Sequence, residues 1–217
     1  MLEFLNFSPK GGEGLPMLRW IKKILVEIWR VSDDKIIEPN YILVHSYGLR
    51  NPKELPYASR KVMEEAGKFA LRFPKAEILM ASSSYFWSGC VVQENNLKLA
   101  IPKGFGISKK RIVLLGGVKN TIEEIKKARA FVGEKDSVIL SIADDIHARS
   151  VRSMFAKIFP EAKIIIHSVA GDWNDLESPL FFGRSNWRWL AANVARHVGY
   201  LLIGERIASL HHPLRKK

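Results

Sequence analysis

The chain has 217 residues, of which 47% are hydrophobic, a length and composition typical of a single globular domain with extensions rather than of a disordered protein. Its 34 Lys and Arg against 22 Asp and Glu give a formal net charge of +12, which suits an anionic partner; no nucleic-acid-binding motif accompanies it, so we expect no sequence-specific nucleic-acid partner. The single cysteine, Cys90, excludes an intramolecular disulfide and a cysteine-rich zinc site.

The first predicted element is an amphipathic helix from Met17 to Val31. Its apolar residues recur at helical spacing, at Leu18, Ile21, Leu25, Ile28 and Trp29, and charged residues interrupt them. This is not the pattern of a secretory signal, and no apolar run approaches the ~20 residues that span a bilayer. We therefore predict a cytoplasmic protein whose N-terminal extension, residues 1–40, packs on the domain or associates weakly with an anionic membrane surface.

Five short runs rich in Val, Ile and Leu follow, and amphipathic segments separate them. The runs are Tyr41 to Val44, Glu77 to Ala81, Arg111 to Leu115, Ser137 to Ile142 and Lys163 to Ile166. This alternation predicts an α/β domain over residues 41–183, with a three-layer Rossmann-like fold and a parallel five-stranded sheet. We predict the strand order 3-2-1-4-5, because it brings the turns after strands one and four together at the switch point.

Two further segments flank or interrupt this pattern. Ser82 to Lys110 is irregular, and predicts one helix around Gln93 to Ala100 followed by a loop with Pro102, Gly104 and Gly106. Residues 184–217 predict a C-terminal helix that packs on the same domain, and they carry seven bases against Glu205 alone. With the first helix, this basic tail forms an alternative hypothesis, in which the protein is a peripheral membrane or interaction module.

Polar residues follow each predicted strand. They include His45 and Ser46 after the first, Ser82, Ser83 and Ser84 after the second, Asn120 and Thr121 after the third, and Asp144, Asp145, His147 and Arg149 after the fourth. In an open parallel sheet, ligands bind at the carboxyl ends of the strands, where helix N-termini attract anions. The sequence therefore predicts a site for a small anionic or nucleotide-like molecule at this edge.

The turn after the fourth strand carries the strongest chemical signal. One of Asp144 and Asp145 is expected to be the N-cap of the next helix, and His147 is a candidate general acid or base oriented by a carboxylate. Arg149 or Arg152 is a candidate for bidentate binding of an anionic group. The same acids and His147 would also serve a phosphoester hydrolase, whereas a hydrogen-bonded turn histidine is the structural alternative.

Several known motifs are absent. The chain has no G-x-G-x-x-G or Walker pattern, no G-x-S-x-G nucleophile elbow and no spacing typical of a zinc site. We therefore predict no metal, and the sequence leaves open whether the protein is an enzyme. Thr121 and Glu124 fit a capping box, Thr-x-x-Glu, so this pair has a structural interpretation as well.

Motifs between Tyr41 and Val169 occur in a recognisable order. They are Arg60 in the first crossover helix, Ser82-Ser83-Ser84, Glu94, Asn120-Thr121-Ile122-Glu123, and His147 followed by Arg149. They resemble the Ser-Gly-Gly, Asn-Thr-x-Glu and His-x-x-Arg elements of the YdcF-like family, which includes the SanA and ElyC types. Arg149 follows His147 by two positions rather than three, His45-Ser46-Tyr47-Gly48 replaces a glycine-rich loop, and Glu124 replaces the usual Asn.

The resemblance implies a Rossmann-like fold and a ligand site formed by the matching residues, including Glu123. It also implies S-adenosylmethionine binding, which is reported for a family member, and a link to cell-envelope physiology. No cofactor follows from the residues themselves. SanA and ElyC types usually carry a membrane anchor, so the soluble YdcF type is the nearer analogue.

Overall fold

A computed structural model describes residues 16–45, 47–87, 90–133, 136–171 and 184–204. Ser46 of the candidate site, residues 172–183 at the end of the predicted α/β domain, and the basic tail from residue 205 onward lie outside these described residues. The described residues form the following strands: β1 (Tyr41–Val44), β2 (Glu77–Ser82), β3 (Ser84–Trp87), β4 (Cys90–Gln93), β5 (Ile112–Gly117), β6 (Val138–Asp144) and β7 (Lys163–Val169).

Helices connect and cover these strands. They are α1 (Pro16–Trp29), α2 (Tyr57–Arg72), α3 (Glu94–Gly104), α4 (Thr121–Val132), α5 (Ala148–Ile158) and α6 (Asn186–Ile203), with a 3-10 turn at Lys109–Arg111. None of these described helices has the length and apolar character that crossing a membrane requires. The fold is three-layered and Rossmann-like, as the alternation of apolar runs and amphipathic segments predicted.

The main sheet is parallel and has the order β5-β2-β1-β6-β7. This differs in numbering from the predicted 3-2-1-4-5 because the antiparallel hairpin β3-β4 lies between the second and third of the predicted strands. Among the five parallel strands themselves, the neighbours are those predicted. The chain therefore changes direction across the sheet between β1 and β6, which places a switch point there.

Alternate residues of the central strands enter two separate cores. Ile42 and Val44 of β1 pack in the core under α2, whereas Leu43 packs in the core under α4 and α5. Because successive side chains of a strand point to opposite faces, a strand buried on both faces needs an unbroken apolar run. This requirement explains why the five parallel strands were recognisable in the sequence.

The segment from Ser82 to Lys110 differs from the prediction. The predicted helix is present as α3, but the hairpin β3-β4, paired from Ser84 with Gln93 to Trp87 with Cys90, precedes it and was not predicted. Helix α3 also continues through Pro102 to Gly104, although a proline removes one backbone N–H donor from a helix. The loop predicted at Pro102 and Gly104 was therefore wrong.

Helix α1 and the residues after it pack against the domain. The indole Nε1 of Trp29 donates to the carbonyl of Ile146 (2.7 Å), in the turn before α5. Farther along, the carboxylates of Asp33 and Asp34 accept hydrogen bonds from the backbone N–H groups of Ser168 and Ile166 (2.6 and 2.8 Å). These side chains satisfy donors of β7, which is an outer strand of the sheet among the described residues.

Candidate functional site

A buried network of polar side chains lies at the carboxyl ends of β1 and β6, at the switch point of the sheet. His45 follows β1 directly, Asp144 ends β6, and His147 lies in the turn that enters α5. All three side chains belong to residues that are at most 4% exposed. Buried polar groups are costly unless they are hydrogen-bonded, so the partners of each determine what this network can do.

His45 joins α4 to β6. Its Nδ1 lies 2.6 Å from Oε2 of Glu124, and its Nε2 lies 2.9 Å from Oγ of Ser141. A serine, a histidine and a carboxylate in this order resemble the triad of a serine hydrolase. Ser141, however, lies within β6 and is 0% exposed, so its hydroxyl is not placed to attack a substrate.

Glu124 leaves one oxygen of its carboxylate unsatisfied. Glu124 is only 2% exposed, and its Oε1 is buried without a hydrogen-bond donor among the described residues. An unpaired buried acceptor costs about 1–3 kcal/mol, a cost that a bound water or a ligand donor would offset. Glu124 is therefore a polar group of the network with capacity for another partner.

His147 is held as a neutral imidazole with one defined tautomer. Asn193 donates through Nδ2 to the carbonyl of Trp189 (2.9 Å), which fixes its Oδ1 toward Nδ1 of His147 (2.7 Å). Nδ1 therefore carries the proton, and Nε2 accepts from the hydroxyl of Thr121 (3.1 Å). Burial lowers the pKa of His147 to about 3, and the electrostatic interaction with the neighbouring His45 contributes in the same direction.

Asp144 accepts hydrogen bonds within the turn before α5 and is not the N-cap of that helix. Its Oδ1 accepts from the N–H groups of Ile146 and His147 (both 3.1 Å) and from Nε1 of Trp189 (2.7 Å). The N-cap residue of α5 is His147, which makes no side-chain capping bond, so the expectation that an Asp is the N-cap was wrong. Asp144 lies three residues before the N-cap position, and it accepts hydrogen bonds from backbone N–H groups that precede the helix.

The other groups beside this turn are also engaged. The hydroxyl oxygen of Tyr47 accepts from the N–H of Asp144 (2.5 Å), and burial followed by the charge of Asp144 holds the pKa of Tyr47 well above its usual value. Oδ2 of Asp145 lies 2.6 Å from Nε of Arg30. Burial raises the pKa of Asp145, and Arg30 opposes that rise.

The N-cap of α4 lies one residue before the N-cap that the predicted capping box requires. Asn120 is the N-cap, and its Oδ1 accepts from the N–H of Glu123 (3.0 Å). Glu123 reaches back to the N–H of Lys119 (2.7 Å), while Glu124 turns inward to His45. The predicted Thr121 and Glu124 box was therefore wrong, because Thr121 is already inside the helix.

The serine turn after β2 is held by buried groups of α3. Oγ of Ser83 donates to the carbonyl of Val118 (3.0 Å), and the N–H of Ser83 donates to Oε2 of Glu94 (3.1 Å). Lys98, which is fully buried, donates through Nζ to the carbonyl of Ala81 (2.6 Å). Ser82 is buried as well, whereas Ser84 is exposed and donates to Gln93 (3.1 Å). Ligand contact by this turn stays a prediction.

The two candidate arginines bind the N-terminal extension. The guanidinium of Arg149 donates to the carbonyls of Trp29 and Ile28 (2.8 and 2.9 Å), at the C-terminus of α1. Arg152 pairs with Asp34 (3.0 Å). The structure therefore brings together His45, Thr121, Asp144 and His147, while Arg149 and Arg152 bind α1 and the segment after it.

Sequence reasoning missed the contribution of α6 to this network. Trp189, Asn193 and Arg196 are spaced by four and three residues, so they share one face of the helix. The guanidinium of Arg196 lies 5.8 Å from the ring centre of Trp189, and burial lowers its pKa. In the sequence, an Asn and an Arg on an otherwise apolar helical face form the pattern from which a polar contribution of α6 could have been predicted.

A separate cavity lies at the amino ends of the parallel strands, on the side of the sheet opposite to the polar network. It has a volume of about 460 Å³ and is lined by residues at the amino ends of the strands, namely Glu38, Pro39, Asn40, Tyr41, Lys75, Glu77 and Val138. None of these residues was a predicted site residue. In the part of the chain that the structure describes, no three His, Cys, Asp or Glu side chains are grouped as a metal site requires.

The fold and this network define a class: a Rossmann-like α/β protein with a buried polar centre at its switch point. Comparison with known proteins adds no narrower assignment, because no family model, no curated protein and no solved structure matches the chain.

Proposed function

We propose that the protein binds a small anionic or nucleotide-like molecule at the carboxyl ends of β1, β5 and β6. The observation that carries this proposal is the joining of three strand ends into one network. His45 follows the end of β1, Thr121 is the first residue of α4 after β5, and His147 lies in the turn after β6; Thr121 and His147 are hydrogen-bonded, and the rings of His45 and His147 meet edge to face, 6.2 Å between centres. The crevice outside a switch point is the usual ligand site of open parallel sheets.

Two features of the network suit a ligand of this kind. Asn120 and Thr121 are partly exposed at the N-terminus of α4, where the helix dipole favours negative charge. Beneath them, Oε1 of Glu124 lacks a donor among the described residues. A molecule with an anionic group and a hydroxyl or amino donor would meet both features.

The family resemblance makes the proposal more specific. We infer a YdcF-like protein, with a cytoplasmic location and a link to cell-envelope physiology, and with S-adenosylmethionine as the first ligand to test. That molecule carries a carboxylate together with amino and ribose hydroxyl donors. Its support is the motif order from Arg60 to Arg149, with the Asn120 to Glu123 match as the most specific part.

Binding is favoured over a hydrolysis that uses His147 as the general acid. A phosphoester hydrolase that used His147 as general acid would need the imidazole protonated near neutral pH. With a pKa of about 3, His147 carries no such proton there, and Asp144 already accepts three hydrogen bonds. Whether the bound molecule is transformed is a separate question from whether it binds.

A thermal-shift screen of S-adenosylmethionine, nucleotides and sugar phosphates tests the proposal. At a ligand concentration of 100 times Kd, binding contributes about 2.7 kcal/mol, which corresponds to a Tm increase of roughly 5–10 °C in a domain of this size. Thr121→Val should reduce the increase, measured from its own ligand-free Tm. Tyr41→Phe, which also removes one hydroxyl but at the opposite edge, should leave it unchanged.

Two results would count against the proposal. One is the absence of stabilisation by every ligand class at saturating concentration. The other is a Tm increase that Tyr41→Phe abolishes and Thr121→Val retains, because it would place the ligand in the amino-edge cavity.

A further inference from the structure

The cavity at the amino ends of the parallel strands lies apart from the polar network and has charged groups of its own. Its volume of about 460 Å³ is within the range of sites that bind small molecules. Glu38, Lys75 and Glu77 line it with formal charges, and Asn40 and Tyr41 add uncharged polar groups. Two carboxylates and one ammonium make the cavity negative, although the whole chain has a formal net charge of +12. Its charge is therefore unsuited to the anionic ligand of the carboxyl edge.

The three charged side chains of the cavity are not paired with one another. Among the residues that the structure describes, the side chains of Glu38, Lys75 and Glu77 make no hydrogen bond and no ion pair. Glu38 and Lys75 are exposed, and Glu77 is half-buried. Because these opposite charges line one cavity without neutralising each other, both signs remain available to a bound molecule.

Asn40 holds the frame of the cavity in place. Its backbone N–H donates to the carbonyl of Val138 (2.9 Å), and its Oδ1 accepts from the N–H of Val138 (2.9 Å). The carbonyl of Asn40 accepts from the N–H of Glu77 (3.1 Å). Asn40 thus joins the start of β1 to both neighbouring strands. A frame that is already fixed lowers the entropy cost of binding a ligand.

Tyr41 adds an aromatic ring beside the charges. It is paired with Glu77 in the register of β1 and β2, so both side chains project from the same face of the sheet. The ring of Tyr41 packs edge to face on Phe131 of α4, with 6.1 Å between centres. Pro39 lines the cavity as well. The apolar part of a ligand can therefore lie next to the groups that bind its charges.

We propose that this cavity binds a small zwitterion of the amino-acid type. The carboxylate of the ligand pairs with Lys75, and its ammonium group pairs with Glu77 and Glu38. A simple anion would meet two carboxylates, and a simple cation would leave Lys75 unpaired, whereas a zwitterion complements both signs of charge. The inference goes beyond the proposed function, since it concerns a second site and another class of ligand.

Thermal-shift titration of the full chain with the standard free L-amino acids tests the inference. We expect at least one of them to stabilise the protein. Its N-acetyl derivative lacks the ammonium group and its amide derivative lacks the carboxylate, so each should bind roughly tenfold more weakly or worse. This comparison uses the unaltered chain, and it decides the question even if a substitution lowers stability.

Variants assign each charge of the ligand to a residue. Lys75→Gln should weaken binding of the free amino acid roughly tenfold but leave binding of the amide nearly unchanged, because the amide has no carboxylate to lose a partner. Glu77→Gln should likewise weaken binding of the free amino acid and spare the N-acetyl derivative. Lys103→Gln, at an exposed lysine of α3 outside the cavity, is the matched control and should change binding less than about twofold.

S-adenosylmethionine has an amino-acid part as well, so the variants must separate the two sites for that ligand. Its stabilisation should respond to Thr121→Val if it binds at the carboxyl ends of the strands, and to Lys75→Gln if it binds in the cavity. The free amino acids should respond to Lys75→Gln and not to Thr121→Val. Failure of either proposal is therefore visible without failure of the other.

Three outcomes overturn the inference. The first is that no free amino acid raises the melting temperature at saturating concentration. The second is that the N-acetyl and amide derivatives bind as tightly as the free amino acid, or that Lys103→Gln weakens binding as much as Lys75→Gln does. The third is that the diamine putrescine stabilises the protein while the free amino acids do not, and that Lys75→Gln strengthens its binding, which would make the occupant a cation.

Discussion

At the scale of single residues, the protonation state of His147 is the most direct consequence of the network. Because burial holds its pKa at about 3, below the usual 6.5, His147 should remain neutral from pH 8 to pH 5. Its NMR ring signals should show the Nδ1–H tautomer with no titration step in that range. A step centred near pH 6.5 would contradict the structure.

The same lowered pKa makes stability depend on pH. The neutral form is favoured in the folded state, so its contribution is complete above pH 6.5 and is lost as pH falls toward 3. The loss reaches at most about 1.4 kcal/mol per pH unit. Urea unfolding at several pH values would measure it. In Asn193→Asp, a carboxylate beside Nδ1 should raise the pKa of His147 and flatten this dependence between pH 6.5 and 5.

Some residues of the site were predictable because they follow apolar strands directly. His45, Asp144 and His147 were found in this way. Asn193 was not, because its contact with His147 spans 46 positions and arises only when α6 packs against the turn. Glu124 was misassigned for a related reason: its side chain fits a capping box in sequence, but in the fold it is bound to His45, which is 79 positions away.

At the scale of elements, the contact of α2 with the end of α3 gives a sharp prediction. A Cβ on Gly67 would lie 2.6 Å from Cδ2 of Phe105, closer than the ring can tolerate. Gly67→Ala should therefore lower the free energy of unfolding by about 1–3 kcal/mol, although Ala favours helix. Gly104→Ala, which meets no atom within 4 Å, is the control and should change it by less than about 1 kcal/mol. Equal effects in chemical denaturation would refute this packing.

Arg149 should control how firmly α1 is attached. Its guanidinium binds two carbonyls at the end of α1 and lies 5.0 Å from the ring centre of Trp29. In Arg149→Ala, the α1 amides should exchange with deuterium roughly 10–100 times faster, while β1 and β6 keep their protection. Arg72→Ala, an exposed arginine of α2, should have no such effect. Unchanged α1 exchange in Arg149→Ala would mean that other contacts hold the helix.

Strands buried on both faces were the easiest elements to predict, and each of the five lies within three residues of its predicted bounds. The hairpin β3-β4 was missed because each of its strands has only three consecutive apolar residues, Tyr85 to Trp87 and Cys90 to Val92, within a segment interpreted as irregular. Helix α3 was placed nearly correctly but ended too early. Its Pro102 falls in the final turn, where one missing backbone bond is tolerated by the packing around it.

At the scale of the whole molecule, two edges of the sheet compete as ligand sites. The carboxyl edge has the network of His45, Thr121 and His147, and the amino edge has the cavity that includes Asn40 and Lys75. Topology supports the carboxyl edge, because helix N-termini and the switch point both lie there. The sequence predicted that edge from the polar strand ends, but it contained no signal for the cavity.

Hydrogen–deuterium exchange with and without the anionic or nucleotide-like ligand that stabilises the protein most is the measurement that separates these edges. The proposed site predicts slower exchange at the start of α4, around Asn120 to Glu123, and in the turn from Asp144 to His147. Protection confined to Asn40 and the residues around Lys75, or protection spread evenly over the chain, would contradict a ligand site at the carboxyl ends of the strands.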